Sequence, residues 1–159
     1  MILCLIFVHF ANISFSQKGK NYFKINTGAE LTSGLFAEGY KSGWGIYASH
    51  YYSISKEGSF VISSGVAFWN ESNGTGKAGM SLTRAGFRQF VYQGLYFQAD
   101  AGIGLGLNNF SETTRFCFGG GTGYLFKNTK GNGVDISVRI NRGFNRTWIG
   151  IGAGYQFGL

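Results

Sequence analysis

The chain has 159 residues, a length that favours one domain. It holds 27 glycines and no proline, and only 13% of its residues are charged, which indicates an all-β protein with much of its surface turned away from water. The net charge is +7, but the bases are scattered and no nucleic-acid-binding motif accompanies them, which argues against a nucleic-acid partner.

Residues 1–16 form an apolar run that ends in small residues, Ser14 and Ser16. Small residues just before a cleavage point, here ahead of Gln17, are typical of a secretory signal peptide. We therefore expect a signal peptide over 1–16 and one β-barrel domain over 17–159. A buried first strand is the alternative interpretation of the apolar run.

Turn-forming Gly, Asn, Ser and Lys recur at short intervals after the expected cleavage point. Regular short spacing of this kind favours a meander, in which each strand pairs with the next one along the chain. Eight strands are predicted, over residues 22–33, 44–54, 60–70, 79–91, 95–107, 115–126, 134–142 and 147–157.

The segment 95–107, LYFQADAGIGLGL, alternates most regularly. Its odd-numbered residues are apolar, and its even-numbered residues are polar or glycine, so the segment predicts a strand with one apolar face. At roughly 3.3 Å per residue such a strand spans about 40 Å, the length of a tilted strand that crosses a lipid bilayer. Strands 22–33, 60–70, 134–142 and 147–157 alternate similarly, whereas 44–54 has aromatic residues on both faces and 79–91 fits either parity.

The face opposite the apolar one is rich in glycine. Glycine facing solvent weakens a strand without a gain, whereas glycine facing a crowded barrel lumen leaves room for large side chains such as Tyr47, Tyr51 and Trp69. The apolar face is therefore predicted to face lipid. The glycines predicted to face the lumen are Gly102, Gly104, Gly106, Gly119, Gly121, Gly123, Gly150, Gly152 and Gly154.

Charged residues on the lumen side are the candidate site. Four of them follow from strand parity, and Arg84 and Arg88 join them if the fourth strand pairs with the fifth through a three-residue turn. The set holds three acids and three bases, as a closed polar interior requires; six ordinary solvent-exposed charges are the alternative. The predicted lumen charge network is Glu30, Arg84, Arg88, Asp100, Asp135 and Arg139.

Eight strands close into a barrel just wide enough for side chains to fill, and closure leaves no unpaired strand edge in the membrane. Aromatic residues near strand ends are typical of the girdles that such barrels place at the two membrane interfaces. The predicted girdle residues are Trp44, Trp69, Trp148, Tyr155 and Phe157.

In these features the chain resembles the small eight-stranded outer-membrane β-barrels of Gram-negative bacteria, the OmpA/OmpX-like group of porin-family type. The segments SFSQ and AGFRQFVYQGLYFQADAGIGLG are similar to barrels of Bacteroidota. The ending GAGYQF, with Tyr155 and Phe157, resembles the final-strand signal that the barrel assembly machinery reads, although Gly158 and Leu159 follow it here.

The resemblance implies an outer-membrane location with both termini in the periplasm and outer loops near 34–43, 71–78, 108–114 and 143–146. It also implies contact with outer-membrane lipid and lipopolysaccharide, and allows membership of a larger outer-membrane complex. The charges assigned to the periplasmic side are Lys18, Lys20, Lys24, Lys56, Glu57, Lys127 and Lys130. The outer bases, which face lipopolysaccharide phosphates or form a solvated rim, are Lys41, Lys77, Arg115, Arg142 and Arg146.

No catalytic, cofactor or metal site is predicted. His50 is the only histidine after the expected leader, and no acid stands at a spacing that would complete a catalytic set with it. The sequence therefore favours a non-enzymatic barrel with a structural or accessory role and a filled lumen. A narrow channel or small-ligand barrel is one alternative, and a secreted soluble lipocalin-like barrel is another.

Overall fold

The chain forms eight long strands and one short helix. The computed structural model describes residues 19–72, 76–108, 114–128, 132–143 and 145–159, so the predicted signal peptide over 1–16 lies outside the described residues. The elements in chain order are β1 (Asn21–Ser33), α1 (Leu35–Gly39), β2 (Tyr40–Ser53), β3 (Gly58–Glu71), β4 (Lys77–Tyr92), β5 (Leu95–Asn108), β6 (Thr114–Lys127), β7 (Gly133–Gly143) and β8 (Arg146–Gly158).

Each strand pairs antiparallel with the next, and β1 pairs with β8 to close the barrel. The closing seam runs from the Tyr22–Gly158 pair to the Ser33–Thr147 pair. The predicted all-β, eight-stranded, up-and-down antiparallel barrel is confirmed. We call the end of the barrel that holds the start of β1 and the end of β8 the terminal end, and the opposite end, next to α1, the loop end.

The apolar faces of the strands point outward. In β7, Val134, Ile136, Val138 and Ile140 are exposed, while Asp135 between them is fully buried. A soluble lipocalin-like barrel needs the reverse arrangement, with the apolar face inside. The outward apolar face therefore argues against the soluble alternative.

The turn between β4 and β5 settles which residues of β4 face inward. Gln93 and Gly94 both have positive φ, as the tight two-residue hairpin turns require, and the register shifts between Phe90 and Tyr92. The predicted three-residue turn is wrong in detail, because the turn has two residues. The bulge in β4 adds one residue to that strand, so the same residues of β4 face inward as the prediction expected. Arg84 and Arg88 consequently face the interior.

The helix α1 lies within a segment predicted to be a loop. Gly34, with a φ of +58°, precedes it, and Phe36 from this helix is buried inside the loop end of the barrel. Five residues are too few to show a helical period, which explains why the sequence pattern did not predict α1.

The strand β2 carries large aromatic residues on both faces. Tyr51 is buried and Tyr47 is half-buried inside the barrel, whereas Trp44 and Tyr52 are exposed on the outside. Interior glycines provide the space for the tyrosines: a Cβ on Gly45 would lie 2.8 Å from Cε2 of Tyr47. The glycine-rich inner wall and the aromatic side chains therefore fit together.

Candidate functional site: the barrel interior and its rim

The middle of the interior holds a charged group that we call the middle network: Glu30, Tyr47, Arg84, Asp100 and Arg139. Asp100 forms ion pairs with two arginines, with Arg84 Nε 3.4 Å from Oδ1 and Arg139 Nη2 donating to Oδ2. The Tyr47 hydroxyl donates a 2.7 Å hydrogen bond to Glu30 Oε1. Ion pairing of this kind offsets the cost of holding charges away from water.

The bare inner face of β6 lets the middle network cross the barrel. Gly119 lies opposite Asp100 on β5, and Gly121 lies opposite Arg139 on β7. A Cβ on Gly121 would lie 2.8 Å from Cγ of Arg139, and a Cβ on Gly119 would lie 3.3 Å from Nη1 of Arg84. Side chains at these two positions would therefore displace the arginines from their partners.

A second group, the lower network, lies nearer the terminal end and consists of Lys24, Arg88 and Asp135. Lys24 Nζ lies 2.9 Å from Asp135 Oδ1, and Arg88 Nη2 lies 3.7 Å from Oδ2. The Arg88 guanidinium stands between the rings of Tyr51 and Tyr96, at 3.8 and 4.1 Å from their centroids. Arg88 also donates hydrogen bonds to Tyr51, Gln98 and Gln156.

The structure places all six predicted lumen charges in the interior, but in two groups rather than one. Arg88 and Asp135 belong to the lower network, where their partner Lys24 was assigned to the periplasmic surface. That assignment is wrong, because Lys24 is only 4% exposed and lies inside the barrel. Lys24 and Glu30 both stand at even positions of β1 and therefore share one face of the strand. This shared face could have placed Lys24 in the interior from the sequence. The two networks together therefore hold four bases and three acids, not equal numbers.

An apolar cluster, which we call the plug, fills the loop end of the interior. Phe36 packs edge-on against Trp69 and Trp148, with ring centroids 5.2 and 6.3 Å apart. Arg146 lies over the Phe36 ring, with Cζ 5.2 Å from its centroid. The buried members of the plug are Phe36, Ala67, Trp69, Ala78, Met80, Leu82, Cys117 and Trp148.

The plug corrects the predicted aromatic girdle. Trp69 and Trp148 are each 1% exposed and lie inside the barrel, because they share the parity of the inward residues of β3 and β8. Trp69 therefore lies in the interior. The sequence had also suggested this position for Trp69, as a large side chain opposite the luminal glycines. Trp44, Tyr155 and Phe157 are exposed on the outer face, where a girdle would need them.

The outer surface at the loop end carries a groove that we call the rim groove, formed by Arg115, Phe116, Phe118, Arg142 and Asn145. It has a volume of about 220 Å³. Arg142 follows four outward apolar residues on β7 and lies opposite Phe118 on β6. Phe116 is 66% exposed. Guanidinium groups thus adjoin exposed aromatic rings at the border of the apolar wall.

The residues with catalytic or metal-binding chemistry are dispersed. His50 is exposed at an outward position of β2, opposite Phe23 and Ile62. Across the described ranges, no group of three or more His, Cys, Asp or Glu side chains is arranged to hold a metal ion. No helix in the same ranges is long and apolar enough to cross a membrane.

The solved structures that are similar to this chain include outer-membrane proteins. Ail, the attachment invasion locus protein of Yersinia pestis, aligns with a TM-score of 0.60 and 17% identity over 89% of this chain and 100% of its own. The chain has the fold of the small eight-stranded outer-membrane β-barrels. This fold is the one that the OmpA/OmpX-like resemblance implies.

Two further structures extend the similarity. The N-terminal β-barrel domain of Pseudomonas aeruginosa OprF aligns with a TM-score of 0.55 and 18% identity, over 88% of this chain and 100% of that domain. Neisserial surface protein A aligns with a TM-score of 0.53 and 12% identity, over 86% of this chain and 95% of its own. No protein-family model and no curated protein matches the sequence.

Proposed function

We propose that the protein is an integral outer-membrane β-barrel with a structural or interaction role, no catalytic activity and a lumen closed by its own side chains. The observation that carries the proposal is the inverted polarity of the wall. Apolar side chains cover the outside, while the two networks inside hold six charged side chains joined by salt bridges and a seventh, Glu30, that accepts a hydrogen bond from Tyr47. Such a barrel is stable only where a membrane replaces water around it.

Heat-modifiable gel mobility of the membrane fraction tests this proposal. A folded transmembrane barrel stays compact in mild detergent until it is boiled, so the unboiled protein should run at a different position from the boiled one. We expect this shift together with recovery in the outer-membrane fraction. A protein that stays in solution without detergent and shows no shift would contradict the proposal.

Both termini are proposed to lie in the periplasm, which places the loop end, and the rim groove with it, at the cell surface. Tyr155 and Phe157 on β8 are proposed to serve as the signal for the barrel assembly machinery. A larger outer-membrane complex is a further proposed partner. A protease site added after Leu159 should be cut only when the outer membrane is opened; cleavage in intact cells would contradict this orientation.

The rim groove is proposed to bind lipopolysaccharide through its phosphates. Arginine guanidinium groups bind phosphate oxygens in pairs, and Phe116 and Phe118 beside them would contact the acyl chains. The solved structure of Ail with sucrose octasulfate, a heparin analogue, shows a polyanion in complex with a barrel of this fold, which supports the proposal.

Replacing both Arg115 and Arg142 by Gln tests the lipopolysaccharide proposal. We expect the variant to lose about tenfold or more in affinity for phosphorylated lipopolysaccharide in nanodiscs, with dephosphorylated lipopolysaccharide affected little. Lys41→Gln combined with Lys77→Gln, which removes two bases at the same end but outside the lining of the rim groove, is the matched control. Equal losses in the two variants would assign the effect to net charge rather than to the rim groove.

A further inference from the structure

The interior charges balance in the middle network but not in the lower one. The middle network holds two arginines, both paired with Asp100, and a second acid, Glu30, whereas Lys24 and Arg88 have only Asp135 between them. Lys24 and Arg88 are 4% and 1% exposed. One buried positive charge therefore has no protein counter-charge in its own network, and an unmatched buried charge is costly.

A recess opens beside Arg88 at the terminal end, and we call it the terminal recess. It has a volume of about 40 Å³. Hydroxyl groups of three serines line it together with positive charges, and its lining residues in the described part of the chain include no Asp or Glu. The polar and charged residues that the recess brings together are Lys20, Ser53, Ser55, Lys56, Ser59, Arg88 and Lys127.

The protein holds cations and hydroxyl donors close together there. Arg88 Cζ and Lys127 Nζ lie 5.9 and 4.1 Å from the centroid of the same Phe90 ring. Ser55 Oγ accepts hydrogen bonds from the backbone N–H groups of Glu57 and Gly58, which leaves its own O–H to donate. The recess is therefore rich in donors and in positive charge.

The acids nearby do not supply the missing negative charge. Asp135 is fully buried and already accepts hydrogen bonds from Lys24 and from the Tyr96 hydroxyl, each at 2.9 Å. Glu57 lies in the turn between β2 and β3, outside the lining of the terminal recess.

We propose that the terminal recess binds an oxoanion, specifically a phosphate group. Lysine ammonium groups, a guanidinium and serine hydroxyls form charge-assisted hydrogen bonds to phosphate oxygens. The bound group would supply the counter-charge that the lower network lacks. The proposal holds whichever side of a membrane the terminal end faces, because it depends only on the recess.

Inorganic phosphate added to the folded barrel tests the proposal directly. We expect saturable shifts of the backbone amide NMR signals of residues 53–59 in phosphatidylcholine nanodiscs, measured at constant ionic strength. Nanodiscs that contain phosphatidylglycerol, with no phosphate added, distinguish a lipid headgroup from the free ion. Shifts of the same amides in either arm support phosphate-group binding and identify its source; their absence from both overturns it.

Exposed lysines provide variants that preserve the interior. We expect Lys56→Gln combined with Lys127→Gln to raise the phosphate dissociation constant by about tenfold or more. The matched control is Lys41→Gln combined with Lys77→Gln at the loop end, which should leave the constant unchanged. Heat-modifiable mobility verifies that each variant is folded. Equal weakening in both double variants would show a general charge effect and overturn the proposal.

Discussion

At the scale of single residues, the interior depends on which positions have no side chain. Arg139 reaches Asp100 from two strands away because Gly119 and Gly121 leave the inner face of β6 bare. Arg84 on β4 donates a 2.6 Å hydrogen bond to Asn141 Oδ1 on β7, across β5 and β6. The glycines of β6 are therefore as necessary to the middle network as its charges.

Gly119→Leu should destabilise the barrel. A Cβ at Gly119 would lie 2.7 Å from Asn141 Oδ1, so a leucine would displace Asn141 and Arg84 and leave charge unpaired, at a cost of about 3 kcal/mol or more. The measurement is the free energy of unfolding by urea in lipid vesicles. Gly120→Leu is the matched control, since the nearest atom to its Cβ is 3.7 Å away. Equal losses in the free energy of unfolding for Gly119→Leu and Gly120→Leu would contradict the inference that the inner face of β6 has to be bare.

Asp100→Asn separates charge from shape at the centre of the middle network. The amide keeps the size of the carboxylate but leaves Arg84 and Arg139 without their shared negative charge. We expect a loss of about 3–5 kcal/mol in the free energy of unfolding. Ser64→Ala, at an exposed position outside the barrel, should cost much less. A loss no larger for Asp100→Asn than for Ser64→Ala would show that the ion pairs do not stabilise the fold.

At the scale of elements, α1 is a five-residue helix whose main contribution is one inward side chain. Phe36 contacts both interior tryptophans, and the Arg146 guanidinium lies over its ring. The helix thus covers the loop end of the barrel with apolar surface, above the charged networks.

Phe36→Ala should admit water to the plug. Removing a buried phenylalanine costs about 3–5 kcal/mol, and water around Trp69 and Trp148 should shift their fluorescence to longer wavelength. The shift is best measured in a Trp44→Phe background, which removes the outward tryptophan. Phe116→Ala, on the outer face, is the control and should leave the emission unchanged. An unshifted spectrum for Phe36→Ala would contradict the assignment of both tryptophans to the plug.

The limits of the sequence pattern are also clearest at this scale. The period of two predicts which residues of β1, β3, β5, β7 and β8 face inward, because alternation on a strand is a local property. Lys24 on β1 and Asp135 on β7 meet across β8. Such partners depend on barrel closure and on the register between strands rather than on local alternation. For Trp69, near the end of β3, the sequence pattern could not distinguish a girdle residue from a residue of the plug, because both lie near a strand end.

At the scale of the whole molecule, the plug and the two networks succeed one another along the barrel axis. An ion that crosses would have to pass apolar packing at the loop end and paired charges below it. In the closed lumen that we propose, exchange of ions requires displacement of several side chains at once.

The wild-type barrel should therefore show no discrete conductance steps in planar bilayers. Phe36→Ala combined with Arg139→Ala removes one large side chain from the plug and one from the middle network. Among the variants considered, this one is the most favourable for opening a path for ions. Steps in the wild type would support the narrow-channel alternative. If they occur, Asp100→Asn should change their ion preference, and unchanged steps would contradict the placement of Asp100 on the ion path.

The seam between β1 and β8 joins the first strand of the chain to the last. Contacts between such distant segments carry the largest loop-closure entropy in the fold, and slow folding is the usual result. Every earlier intermediate has two open strand edges, which invite pairing with other chains. Pairing of β8 with β1 is thus the step that commits the barrel, and a chain that stops before Trp148 would remain an open sheet prone to aggregate.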